Sequence, residues 1–209
     1  MKVSVKNGQI ILVDDAEPTP IEIALRKLGG HVLSVQVRSD VCIVLEDLGP
    51  RDEAVREPIN ITRSADPRYV AISNLYPTPF TLDGEAYASI EGFWQSLRCD
   101  TPERRRQVAA LSGSEAKKTA GRGPPPASFA YLGETIATGT HAHWQLMERA
   151  CVAKFTQHAG AREALLATGS RPLTHVVRKD SRTIPGVIMA QIWMRIRKRL
   201  QDGRLTNEA

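Results

Sequence analysis

Residues 72–97 constrain the fold more than any other stretch of this 209-residue chain, because a turn, a strand pair, a helix cap and a patterned helix follow one another without a break. Leu82-Asp83-Gly84-Glu85 carries the Asp-Gly pair that favours a tight hairpin turn. Ser89 is placed to cap a helix whose apolar positions Ile90, Phe93, Trp94 and Leu97 fall at i, i+3, i+4 and i+7. Glu91, Gln95 and Arg98 share the neighbouring stripe. A carboxylate, an amide and a guanidinium aligned beside an aromatic face suit either a solvated surface or the wall of a polar pocket.

The length suits one substantial domain and a small appendage. With 42% hydrophobic and 24% charged residues and no long apolar run, the composition is that of a globular protein without a membrane span. The N-terminus lacks the basic, apolar and small-residue order of a signal peptide, so a cytoplasmic location is expected. Cys42, Cys99 and Cys151 stand far apart without CxxC spacing, which argues against a disulfide framework or a zinc site and for reduced thiols. His141 and His143 lie two apart, poor spacing for one helical face, and no metal constellation is expected. Gly121-x-Gly123 runs into three prolines, so there is no phosphate-binding glycine loop, and no nucleophile elbow is present. No cofactor is expected. The net charge of +5 favours anionic partners without identifying them. Its basic runs, Arg104-Arg105-Arg106 and Arg195 with Arg197-Lys198-Arg199, read as solvated helix faces or as phosphate contacts.

The pattern predicts an α+β protein: a mostly helical main domain over 60–209, a small α+β accessory unit over 1–48, and a linker over 49–59. In the small unit, strands around Val3–Val5 and Ile10–Val13 flank Asn7-Gly8, Pro20 opens a helix over Ile21–Leu28, and two strand-like runs cover His31–Val37 and Val41–Leu45. In the main domain, helices are expected over Pro102–Leu111, Ser114–Ala120, Thr140–His158 with Thr140 as cap, and Ala161–Ala167. A strand is expected over Leu173–Val177, and a last helix opens at Pro185-Gly186 with the apolar stripe Met189, Ile192, Trp193, Ile196 and Leu200. Trp144, Met147, Cys151 and Phe155 likewise stripe the helix after Thr140. Gly123-Pro124-Pro125-Pro126 is a loop within the domain.

Ser73-Asn74-Leu75, Pro77-x-Pro79-Phe80, Leu82-Asp83-Gly84 and Ser89-x-Glu91-x-Phe93-Trp94-Gln95, in that order, resemble the NADAR (YbiA-like) N-glycosidases. Ala153-Lys154-Phe155, Gln157-His158 and Leu165-Leu166-x-Thr168 continue the resemblance, which covers roughly two thirds of the chain. It implies an N-glycosidase fold with Glu91 in the active site. Two departures stand out. Many relatives continue the signature helix with Gln-x-x-Lys, whereas this chain has Gln95-Ser96-Leu97-Arg98. Should that lysine form a Schiff base with an opened ribose in the relatives, Arg98 does not replace it, because a guanidinium is a poor nucleophile. The relatives' Trp-Gly and glycine-rich loop before the final helix is here the short, basic Ser181-Arg182-Thr183-Ile184-Pro185. Asp180 aligns with the family Asp, and His175 stands where some relatives have Glu.

Departure of a base leaves the ribose C1 resembling an oxocarbenium ion, which a nearby carboxylate stabilises while activating water. Glu91 is the first candidate, with Asp180 or Glu148 as a second. Lys154 is a further catalytic candidate where burial lowers its pKa, and equally a surface lysine. Asn74 and Gln95 are assigned to the ribose hydroxyls, Ser73 beside them to substrate binding, Trp94 or Trp144 to stacking on the base, and Arg98 and Arg182 to a diphosphate. Taken singly, both tryptophans read as core. Lys117 and Lys118 also suit a diphosphate but read best as solvent-facing. The expected substrate is an ADP-ribose-type conjugate, above all ADP-ribose on guanine of nucleic acid, or a phosphorylated intermediate of riboflavin synthesis, with ADP-ribosylated DNA as a candidate partner. A module that binds such ligands without turnover, and a purely basic nucleic-acid binder, are the alternatives.

Overall fold

A computed structural model describes the strands within residues 2–46 by their backbone, and residues 57–62, 66–121, 123–178 and 180–205 in full. The chain divides into two compact units, one of Met1–Glu57 with Ser170–Pro172 and one of Pro58–Gly169 with Leu173–Ala209. In the first, β1 (Lys2–Lys6) pairs antiparallel with β2 (Gln9–Val13), and β3 (Val32–Arg38) with β4 (Val41–Glu46). All four strands stand within a residue or so of their expected places. The helix expected over residues 21–28 and most of the expected linker lie outside the described residues.

The second unit is helix-rich, with six helices and three small sheets among the described residues, the mixed α+β class expected. β6 (Phe80–Leu82) and β7 (Glu85–Tyr87) form the anticipated hairpin. Asp83 at φ 51° and Gly84 at φ 84° both take the left-handed conformation that a two-residue hairpin turn requires. Phe80 stacks on Tyr87 at 5.4 Å, and Phe93 meets Tyr87 edge-on at 5.0 Å, so the hairpin is packed onto α1 (Ile90–Ser96) through aromatic rings.

Ser89 is extended and its Oγ accepts from the Gly92 N–H at 2.9 Å, the cap expected for α1. Gly92 itself is forced by proximity: a Cβ there would stand 2.3 Å from the Leu111 carbonyl oxygen. That close approach brings α1 against the connection between α2 (Pro102–Ala109) and α3 (Gly113–Ala120). Thr101 caps α2, and Pro102 occupies its first turn, where a missing N–H costs nothing.

A second hairpin, β8 (Ser128–Tyr131) with β9 (Glu134–Ala137), follows the proline loop and has no counterpart in the sequence pattern. Its turn is Leu132-Gly133, again with both residues at positive φ. Leucine carries no turn signal, and its left-handed conformation goes with the pairing of the strands on either side of it.

Helices α4 (His141–Gln157), α5 (Ala159–Leu166) and α6 (Gly186–Gln201) make the core. Met147, Cys151 and Phe155 of α4 are buried, as are Met189, Ile192, Trp193 and Ile196 of α6, while Trp144 and Leu200 of the same two stripes are half-buried. Thr140 precedes α4, but its hydroxyl donates to the Ala137 carbonyl and does not cap the helix. His158 is instead the cap of α5, its Nδ1 accepting from Ala161 N–H at 3.1 Å. β10 (Leu173–Thr174) is shorter than expected and runs parallel to β5 (Ile59–Asn60). No helix among the described residues is long and apolar enough to cross a membrane.

Candidate active site

The polar stripe of α1 is a pocket wall. A cavity of about 620 Å³ is lined by Glu91, Trp94 and Gln95 of α1, the Ser73-Asn74-Leu75 turn, Lys117 of α3, Asn60 and Thr62 near β5, His175 through Arg178, Ser181, and Met147, Ile184 and Met189 below. Glu91 is the one carboxylate among these lining residues. Its backbone N–H donates to the Asn74 carbonyl at 2.9 Å, which ties the turn to the helix.

Only 8% of Glu91 is exposed. Its Oε1 accepts from Gln95 Nε2 at 2.8 Å and lies 3.6 Å from Lys117 Nζ. Burial raises the carboxyl pKa above its ordinary value, and the Lys117 charge, the Gln95 hydrogen bond and the Arg98 charge pull it back. Arg98 does not line the cavity. Its guanidinium donates to Gln95 Oε1 at 2.7 Å and to the Gly123 carbonyl. A donor on the amide oxygen turns the amide nitrogen toward Glu91, so Arg98 reaches the carboxylate through Gln95.

Asn74 Nδ2 rests on Met189 Sδ at 3.7 Å, while its Oδ1 is buried without a hydrogen-bond partner. Such an orphan acceptor costs about 1–3 kcal/mol unless a ligand hydroxyl meets it. Trp94 lies flat against His143, with ring centroids 4.5 Å apart, and Phe129 meets it edge-on. His143 is buried, accepts from Gly139 N–H through Nδ1, and has its pKa lowered by burial to about 4, so the imidazole backing Trp94 is neutral.

Other residues singled out from the sequence lie elsewhere. Lys154 is fully buried, and its Nζ donates to the Ile72 and Ser73 carbonyls at 2.9 and 3.0 Å. Burial lowers its pKa to about 7. The amine thus holds the turn that carries Asn74 but is not a lining group. Asp180 is exposed, and its Oδ1 accepts from the backbone N–H of Ser181 and of Gly186, each at 2.8 Å, at the start of α6. Trp144 donates its indole N–H to the Thr183 carbonyl, and Arg182 is exposed outside the lining. Glu148 is paired with Arg195 at 2.6 Å.

The basic runs are largely spent on the fold. Arg105 donates to the Cys99 and Ala130 carbonyls, and buried Arg197 to Thr168 Oγ1. Lys117 reads as solvent-facing from its helical position, yet its half-exposed side chain reaches Glu91. Nothing in the sequence marks Asn60 and Arg178 as lining residues, or turns His175 toward the site, since only the return of β10 beside β5 brings them to the α1 stripe.

The fold is similar to the NMR structure of the E. coli protein YbiA, with a TM-score of 0.53 and 23% identity, covering 73% of this chain and 89% of that one. The resemblance to the YbiA-like NADAR proteins is thereby borne out in the fold. In sequence, the uncharacterized 17.1 kDa protein in the Gp30-rIII intergenic region of Enterobacteria phage T4 is 28% identical over 110 residues, 51% of this chain and 72% of that protein. The family model described as bacteriophage protein GP30.3 matches residues 68–192, the span that holds Asn74, Glu91, Lys117 and His175, and the chain belongs to that family.

Proposed function

We propose that the protein is an N-glycosidase that hydrolyses a ribose–base bond, and that its substrate is ADP-ribose attached to guanine in nucleic acid. The observation that carries this reading is the buried Glu91 carboxylate, held by Gln95 and Lys117 on the wall of a cavity large enough for a nucleoside. As the base leaves, positive charge grows at the ribose C1. A carboxylate in a poorly solvated site stabilises that charge and accepts a proton from the attacking water. Burial makes Glu91 a stronger base than a solvated carboxylate, and the Lys117 charge opposes that shift only in part. Asn74 Oδ1 is a free acceptor for a ribose hydroxyl, and Trp94 offers a stacking face fixed by His143. Lys117 and Arg178 supply cations for a phosphorylated ligand. The net charge of +5 favours a nucleic-acid substrate over a small phosphorylated intermediate of riboflavin synthesis.

A second reading, a module that holds ADP-ribose without turnover, is favoured by one observation: the lining has a single carboxylate where glycoside hydrolases use two. Incubation of the purified protein with guanine-ADP-ribosylated DNA, followed by mass spectrometry, separates the two. Release of ADP-ribose by the wild type is expected. Binding of ADP-ribose without release supports the module, and neither binding nor release discards both.

A further inference from the structure

We propose that His175 is the acid that protonates the departing base, in the same cavity in which Glu91 receives the proton of water. This rests on the N-glycosidase reading and assigns the half of the chemistry that reading leaves open.

His175 is the one imidazole among the lining residues. Its placement is set by the backbone. A Cβ on Gly186 would stand 2.1 Å from the His175 carbonyl oxygen and 3.2 Å from Nδ1, so only glycine lets the 175 segment lie against the start of α6. Trp193 packs its edge on the imidazole with centroids 5.6 Å apart. Nδ1 is turned inward toward Gly186 and is buried without a hydrogen-bond partner. Nε2 is therefore the ring nitrogen left for the cavity.

The remaining lining groups do not suit the role. Glu91 is needed as the base, Lys117 is engaged with it, and the guanidinium of Arg178 does not give up a proton in water. The hydroxyls of Thr62 and Ser181 are too weakly acidic. An imidazole is the group that can both hold and release a proton between pH 5 and 8. Charged groups bear on it from several elements: Asp180 on its own loop favours the imidazolium, while Lys117 of α3 opposes it, and Glu91 and Arg178 line the same space. Burial outweighs Asp180 and lowers the His175 pKa, which makes the imidazolium a stronger donor but a smaller fraction of the protein at neutral pH.

The step balances without a co-reactant. The C1–N bond breaks and its electron pair stays on the base nitrogen. The Nε2 proton of the His175 imidazolium passes to the base. Water bonds through oxygen to C1 and yields one proton to Glu91. Exchange with solvent then returns that proton and restores both side chains, so the net change is the addition of one water.

The test uses the full chain with guanine-ADP-ribosylated DNA and three variants, His175→Ala, His175→Gln and Glu91→Gln, each first shown to melt cooperatively. The proposal expects His175→Ala and His175→Gln to lose roughly 10²-fold or more in kcat with KM little changed, the scale of general acid catalysis. It also expects the fall of kcat/KM on the alkaline side to disappear, and added imidazole to restore part of the His175→Ala rate. A loss confined to KM, or a rate lowered uniformly across pH with no rescue by imidazole, overturns the proposal while leaving the glycosidase reading standing. A wild type that releases no ADP-ribose overturns both, and a Glu91→Gln variant as active as wild type overturns the reading itself.

Discussion

Glu91 and Gln95 share one stripe of a short helix and Arg98 lies in the turn just past its end, yet the three act differently. The carboxylate faces the cavity, the amide holds it, and the guanidinium orients the amide. That the three belong together follows from their spacing alone. That Lys117 joins them does not, because an exposed helical lysine has the same local sequence whether or not another helix brings a carboxylate within reach. The raised pKa of Glu91 has a consequence for stability. Between its ordinary value and its folded value the native state binds more protons than the unfolded chain, so stability from this group is present at low pH and is lost as pH rises through that window. Glu91→Gln should therefore melt at or above the wild-type temperature at pH 7, and the difference should shrink as pH is lowered into the acid range. Lys154 has the opposite chemistry. Between about 7 and its ordinary 10.5 the unfolded chain binds the extra proton, so the native state gains stability as pH rises through that range. Lys154→Met orphans the Ile72 and Ser73 carbonyls and should cost about 1–3 kcal/mol in denaturant melts. Its deficit relative to wild type should widen from pH 7 to pH 9.

At the scale of elements, the sequence is most legible where a residue's side chain dictates the backbone. Asp83-Gly84 and Ser89 announce a turn and a cap, and both form. The β8–β9 hairpin is hidden because Leu132 takes a left-handed conformation that leucine disfavours by about 1–2 kcal/mol. Leu132 is 67% exposed, so little packing depends on its side chain. Leu132→Asn should raise stability by about 0.5–1 kcal/mol, read from the urea midpoint, because asparagine accepts this conformation readily. Gly92 makes the contrary case. Its missing Cβ admits the Leu111 carbonyl, and Gly92→Ala should destabilise by about 1–3 kcal/mol through overpacking. The same substitution should disturb the cavity, since Gly92 stands beside Glu91 on α1.

At the scale of the molecule, the cavity is assembled from segments far apart in the chain: the turn at 73–75, α1, α3 and the 175–178 segment. Periodicity and caps locate α1 and the core stripes of α4 and α6, but they are silent on which loop faces which helix. Alignment with a family pattern puts Asp180 in the site, and positive charge nominates Arg182. Here the short loop points the Asp180 carboxylate back to the N–H groups of Ser181 and Gly186, and His175 and Arg178 line the cavity. The central claim is that Glu91, within this cavity, cleaves the bond between ribose and base. Its most direct test is a single-turnover rate on guanine-ADP-ribosylated DNA for wild type and Glu91→Gln, with ADP-ribose affinity measured alongside. The account predicts release by wild type, a fall of roughly 10²-fold or more in Glu91→Gln, and an affinity changed only slightly. Equal rates in the two proteins, or no release by wild type, would contradict it.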